Sequence, residues 1–151
     1  MAFLDVLRAE QEIVLRDASD ALSRARLTHY EASGPEESRE RLAQLCDLVI
    51  ECVSTRTLGP ITRFSETIAA DRFAAGFDIA EVQTAFNVLE EAIWHVVVVQ
   101  LAPDELAEAT GMLGTVLGAG KDTMARTWVS LATNRDVPSF DVNLLFQGTE
   151  S

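Results

Sequence analysis

Asp71-Arg72-Phe73-Ala74-Ala75-Gly76-Phe77-Asp78-Ile79-Ala80-Glu81-Val82 contains a helix end and a helix start, back to back. Gly76 is a natural left-handed C-cap residue, so it closes a helix predicted over Ile61 to Ala75. Asp78, with Glu81 three residues later, has the spacing of a capping box and opens the next helix. A stop and a restart this close leave room for a turn between helices and nothing else. The stretch therefore predicts helix packed on helix.

Reading outward, both flanks keep the helical period. Ile61, Phe64 and Ile68 share a face before the turn, and Val82, Phe86, Leu89, Ile93 and Val96 or Val97 share one after it. The prolines punctuate the rest of the chain. Gly34-Pro35 and Gly59-Pro60 place proline where a helix begins, and Leu101-Ala102-Pro103-Asp104 precedes an acidic first turn of Asp104 and Glu105. A first helix is expected from Phe3 to Tyr30, with Leu4, Leu7, Val14, Ala18, Leu22 and Ala25 on one face. A second runs from Glu36 to Arg56 with Leu42, Leu45, Val49 and Val53. The last runs from Asp104 to Ala132 with Leu106, Leu113, Leu117, Met124, Trp128 and Leu131. No segment alternates with period two, so the expected class is all-α, with about five main helices over residues 1–133. Residues 134–151 contain Pro138 and read as a tail or linker. There Leu145-Phe146-Gln147-Gly148 resembles part of a viral-protease recognition site used in recombinant expression. The alternating Phe140, Val142, Leu144 and Phe146 fit equally an amphipathic tail that docks on a partner.

Composition sets the outer limits. At 151 residues and 48% hydrophobic, the chain suits one domain with a core of its own. Mean hydropathy is +0.11, which excludes a disordered chain. The net charge of -12 repels phosphate backbones and anionic lipid headgroups, so neither nucleic acid nor a membrane surface is an expected partner. Cys46 and Cys52 on one helix stand about 9 Å apart along its axis, beyond the ~7 Å reach of a disulfide. The N-terminus lacks a basic signal-peptide region, and the apolar run from Ile93 to Leu101 is far short of a membrane span, so a cytoplasmic location is the default expectation.

Chemistry-bearing residues are sparse. His29 reads as a solvated histidine. His95, inside Ile93-Trp94-His95-Val96-Val97-Val98-Val99, has two readings: an axial haem ligand, or a histidine on the less buried side of an apolar helix or at a subunit contact. No metal-spaced cluster appears, and no metal or cofactor is expected. Gly118-Ala119-Gly120-Lys121-Asp122-Thr123 faintly suggests a phosphate loop. It fails because Thr115 stands where the first glycine is needed and Asp122 where a hydroxyl is needed. Glu36/Glu37 and Glu90/Glu91 read as charged helix faces, with Arg39 and Arg41 as ion-pair dressing. Gly111, Gly114, Gly118 and Gly120 all fall in one predicted helix, each costing about 0.8–1 kcal/mol against alanine. Close helix–helix approach at Gly114 and Gly118 is the expected compensation, with a break beside a ligand pocket as the alternative.

The segment from Asp71 to Val82, continued by Leu89-Glu90-Glu91-Ala92-Ile93-Trp94, resembles the N-terminal sensor domain of the RsbR and RsbRD stressosome proteins. The likeness extends over Phe3 to Leu131. It implies a globin-like helical fold without haem, usually dimeric, that feeds a signal to an output module, commonly a STAS domain regulated by serine/threonine kinases. The chain to Ser151 has no room for such a module, so a free-standing sensor or the N-terminal piece of a longer protein is expected. The arginine–glycine step of the family maps to Arg72 and Gly76, read as structural. The expected function is a non-enzymatic, homodimeric signalling domain with STAS-domain, anti-sigma or kinase partners. Val97, Gly114 and Gly118 are its candidate dimer surface. A haem-binding or small-ligand sensor using His95 is the alternative.

Overall fold

The computed structural model describes residues 2–25, 27, 31–32 and 34–134. Among these, the chain forms six helices and no strand: α1 (Ala2–Ala9), α2 (Gln11–Arg24), α3 (Pro35–Thr55), α4 (Gly59–Ala74), α5 (Ile79–Gln100) and α6 (Pro103–Thr133). The all-α class read from periodicity holds. The expected first helix differs, being two helices that meet at Glu10 (φ -105°, ψ 13°). Hydrogen bonds from Glu10 N to Val6 O (2.9 Å) and from Val14 N to Glu10 O (3.0 Å) carry the chain through this bend. The readings at His29, Pro138 and the Leu145–Gly148 segment lie outside the described residues.

Local chemistry explains the boundaries. Pro35, Pro60 and Pro103 each occupy the first turn of a helix, where the missing N–H has no partner to lose. Asp78 caps α5 by accepting from Ala80 N at 2.9 Å, and Glu81 Oε1 accepts from Asp78 N at 3.0 Å, closing the capping box. At the end of α4, Gly76 sits at φ +85°, donates to Phe73 O at 3.2 Å, and lets Phe77 N reach Arg72 O at 3.0 Å. These two bonds are a Schellman motif, which only a residue at ease with positive φ closes without strain.

Phe3, Leu7, Val14, Ala18 and Leu22 from the first two helices are buried, with Leu42, Leu45, Val49 and Val53 from α3. Val82, Phe86, Leu89, Ile93, Val96 and Val97 from α5 meet Leu113, Leu117 and Met124 from α6 in the same core. Ala25 and Leu131, expected on inner faces, are exposed because each lies at a helix end past the last packed turn. On α4 the fully inward line is Ile61, Ser65, Ala69 and Arg72; Phe64 and Ile68 are only half-buried.

The most extensive interhelical contact joins α4 to α6. Its closest point is Gly120, where an added Cβ would lie 2.8 Å from Phe86 Cε2 and 3.1 Å from both Ile61 Cγ1 and Ser65 Oγ. Close approach therefore does explain a glycine of α6, but at Gly120. At Gly111, Gly114 and Gly118 an added Cβ would meet nothing within 4 Å, so the expected packing at Gly114 and Gly118 is not made within this chain. The residues facing those two positions are solvent-side because the buried stripe of α6 runs through Leu113, Val116, Leu117 and Gly120. Alanine at these positions separates the two environments. Gly120→Ala is expected to lower unfolding stability by about 1–3 kcal/mol through overpacking. Gly111→Ala is expected to raise it by about 0.8–1 kcal/mol, both read by urea denaturation.

Candidate functional site

The structure disperses the residues singled out from sequence. His95 lies on the outer side of α5, its side chain 66% exposed and its Nε2 3.9 Å from Glu91 Oε1. The groove beside it, between α2 and α5, encloses about 150 Å³ and is edged by Asp17, Asp20 and Glu91. Small-molecule pockets start near ~300 Å³ and are mainly apolar, so an open, carboxylate-rimmed groove does not fit a haem. Val97 is 2% exposed and belongs to the core, which corrects its assignment to a subunit contact. Its neighbours Val98 and Val99 are the exposed members of the run, at 52% and 82%. Gly114 is exposed and Gly118 half-buried on the solvent side of α6.

Lys121, discounted as a phosphate ligand, joins α6 to α5 instead. Its Nζ donates to Asn87 Oδ1 at 3.0 Å and lies 3.7 Å from Glu90. Arg41 pairs with Glu37 at 3.0 Å, and Arg39 reaches across to Glu12 at 3.6 Å. Such half-exposed pairs contribute about 0–1 kcal/mol each. Among the described residues no group of three or more histidine, cysteine or acidic side chains is placed to hold a metal.

One polar group stands apart, and sequence reasoning did not single it out for burial. Arg72 is 6% exposed, on the inward line of α4. The Schellman motif at Gly76 brings Phe77 back over Arg72, and the guanidinium carbon lies 4.9 Å from the centre of the Phe77 ring. That motif ordinarily closes with an apolar contact between these two positions; here a cation–π contact takes its place. Arg72 Nη1 also donates to Asp71 Oδ2 at 2.7 Å. Its Nε is buried and has no hydrogen-bond partner, as does Ser65 Oγ. An unmet buried donor costs about 1–3 kcal/mol, more on a charged group. Arg72 lines a cleft of about 30 Å³ between α3, α4 and α5, with Arg41 at its rim and Leu45, Phe64, Ala85 and Phe86 among its walls. The only sequence signal for this was an arginine four residues before a C-capping glycine.

Both cysteines are free and buried on α3. Burial first, and the Asp47 carboxylate second, push the Cys46 thiol up to about 12. Burial likewise raises that of Cys52. Neither thiol is available as a nucleophile near neutral pH.

Residues 12–130 match a protein-family model described as the RsbT co-antagonist protein rsbRD N-terminal domain. No curated protein and no solved structure matches the chain.

In the native protein both thiols are expected to resist Ellman's reagent at about pH 8 and to react fully once unfolded. The folded state retains the Cys46 proton at pH values where the unfolded thiol, near its ordinary ~8.5, has lost it. Its contribution to stability is therefore complete below that pH and declines as pH rises towards 12. Denaturation midpoints across this range, compared with those of Cys46→Ala, check the sign.

Proposed function

The chain belongs to the RsbRD N-terminal domain family, and from that premise we propose that it relays a stress signal by protein–protein contact, as a homodimer joined through the outward face of α6. The family is a signalling family of the stressosome, and the coarse function follows from membership. Partners of the STAS, anti-sigma or serine/threonine kinase classes are the output side of this reading.

The observation that carries the pairing is the set of outward glycines. Gly111, Gly114 and Gly118 fall at spacings of three and four, hence on one helical face. Each weakens a 31-residue helix by about 0.8–1 kcal/mol with no compensating contact inside the protomer. A facing helix lacking side chains to keep it away would approach closely and supply that contact. Between Ala109 and Gly120 the helix carries no charged residue, although the chain's net charge is -12. Two such copies meet at least Coulombic cost across an uncharged strip. A two-fold pair would present this same strip from both subunits. The exposed Val98 and Val99 at the end of α5 add apolar area outside the core.

The rival haem sensor centred on His95 draws no support from the open groove beside that residue.

Gly114→Leu tests the pairing cleanly, because the added side chain meets open space within its own protomer. The expected result is a monomer by sedimentation equilibrium with helical circular dichroism unchanged. A wild-type mass already monomeric, or a Gly114→Leu variant that still pairs, would refute the α6 face. Like-charged copies repel, so raising salt from about 0.02 to 0.2 M should tighten wild-type association.

A further inference from the structure

We propose that the cleft between α3, α4 and α5 binds a compact monovalent anion, a halide or the carboxylate of a short-chain acid, on the guanidinium of Arg72. This goes beyond the pairing of α6 faces and does not depend on it.

Three observations define the ligand. The first is the donor. Arg72 has one nitrogen on Asp71 and its carbon over Phe77, yet its Nε is buried without an acceptor in hydrogen-bond reach. A guanidinium donates only, so whatever completes it must be an acceptor, and an anionic acceptor forms the stronger bond. The second is the charge of the walls. Arg41 and Arg72 both line the cleft, and no carboxylate does, in a chain with 24 acidic residues. Their partners Glu37 and Asp71 lie outside the lining, and the Asp71 side chain is itself 61% exposed. The cleft is therefore a local positive site in an acidic protein. The third is size and polarity. About 30 Å³ exceeds the roughly 10–15 Å³ that one water needs, and stays far below a drug-sized pocket. Phe64, Ala85 and Phe86 give apolar walls, which disfavour the uncompensated second charge of a dianion. A monoanion with a charged head at Nε satisfies all three. If the anion is a carboxylate, its alkyl end lies against the apolar walls.

Chlorine-35 line broadening measures the site in the full chain. Wild-type protein should broaden the chloride line beyond what its diffuse surface charge produces, and the excess should saturate with chloride. Arg72→Met should abolish the excess, and Arg41→Gln should weaken binding by about two- to fivefold. Ala85→Met fills the cleft while leaving both arginines in place, and should also abolish the excess. It keeps the test decisive if Arg72→Met fails to fold. Adding sodium butyrate at constant ionic strength identifies the source. Loss of the chloride signal with a matching rise of about 2–4 °C in melting temperature assigns the site to short-chain carboxylates. Retention of the signal assigns it to halide. Excess broadening absent from wild type, with no butyrate-dependent stabilisation that Ala85→Met removes, would overturn the proposal. So would excess broadening that survives both Arg72→Met and Ala85→Met.

Discussion

Everything in this fold is arranged around the approach of α4 to α6 at Gly120. With no Cβ there, Phe86, Ile61 and Ser65 converge on one point of the α6 backbone. Three helices thus share a single contact, and none of them can shift without displacing the others. The facing line of α4 is correspondingly small, Ser65 and Ala69, so the helices meet nearly backbone to backbone. The same line continues one turn further to Arg72, whose burial follows from the geometry that seats Ser65 and Ala69.

Burying an arginine is unfavourable unless its charge is met. The chain meets part of it through two devices in the adjacent turn. Asp71 offers a carboxylate at the protein surface, and Gly76 folds Phe77 back over the guanidinium. The capping glycine therefore has two effects: it ends α4, and it places an aromatic ring where the cation needs one. The unmet Nε is what remains, and it faces the cleft that α3 and α5 close. On the opposite flank of α6 the chain has the reverse arrangement, with glycines that touch nothing and an uncharged strip in an acidic molecule. A relay domain needs at least one surface that reports to another chain and one interior element able to respond. This molecule offers a candidate for each on the two neighbours α4 and α6.

Much of this was legible before any coordinates. The turn from Asp71 to Val82 reads correctly down to its capping box because caps are local hydrogen-bond chemistry, set by residues a few positions apart. The inner faces of α3 and α5 are legible for a similar reason, since a helix fixes which residues share a side. The phase of a uniformly apolar run is not local. Val96 to Val99 offer four similar side chains, and only the position of α6 decides that Val97 is inside and Val99 outside. The glycines of α6 show the same limit. Their cost is visible in sequence, but which one lies under a neighbouring helix depends on where α4 crosses, and the answer is Gly120 in place of Gly114 or Gly118. The burial of Arg72 and the bend at Glu10 also carried no warning, because charge and helix propensity both argue against them locally. The family resemblance drawn from the turn agrees with the family-model match over residues 12–130.

The central claim is that the outward glycine face of α6 belongs to an interface. Hydrogen–deuterium exchange at several protein concentrations tests it most directly, because it reports protection peptide by peptide in the unaltered chain. The account predicts that peptides spanning Gly111 to Gly118 gain protection as concentration rises, while those on the outer side of α2 do not. Exchange across α6 that is independent of concentration, in a range where sedimentation shows association, would place the interface elsewhere and contradict it.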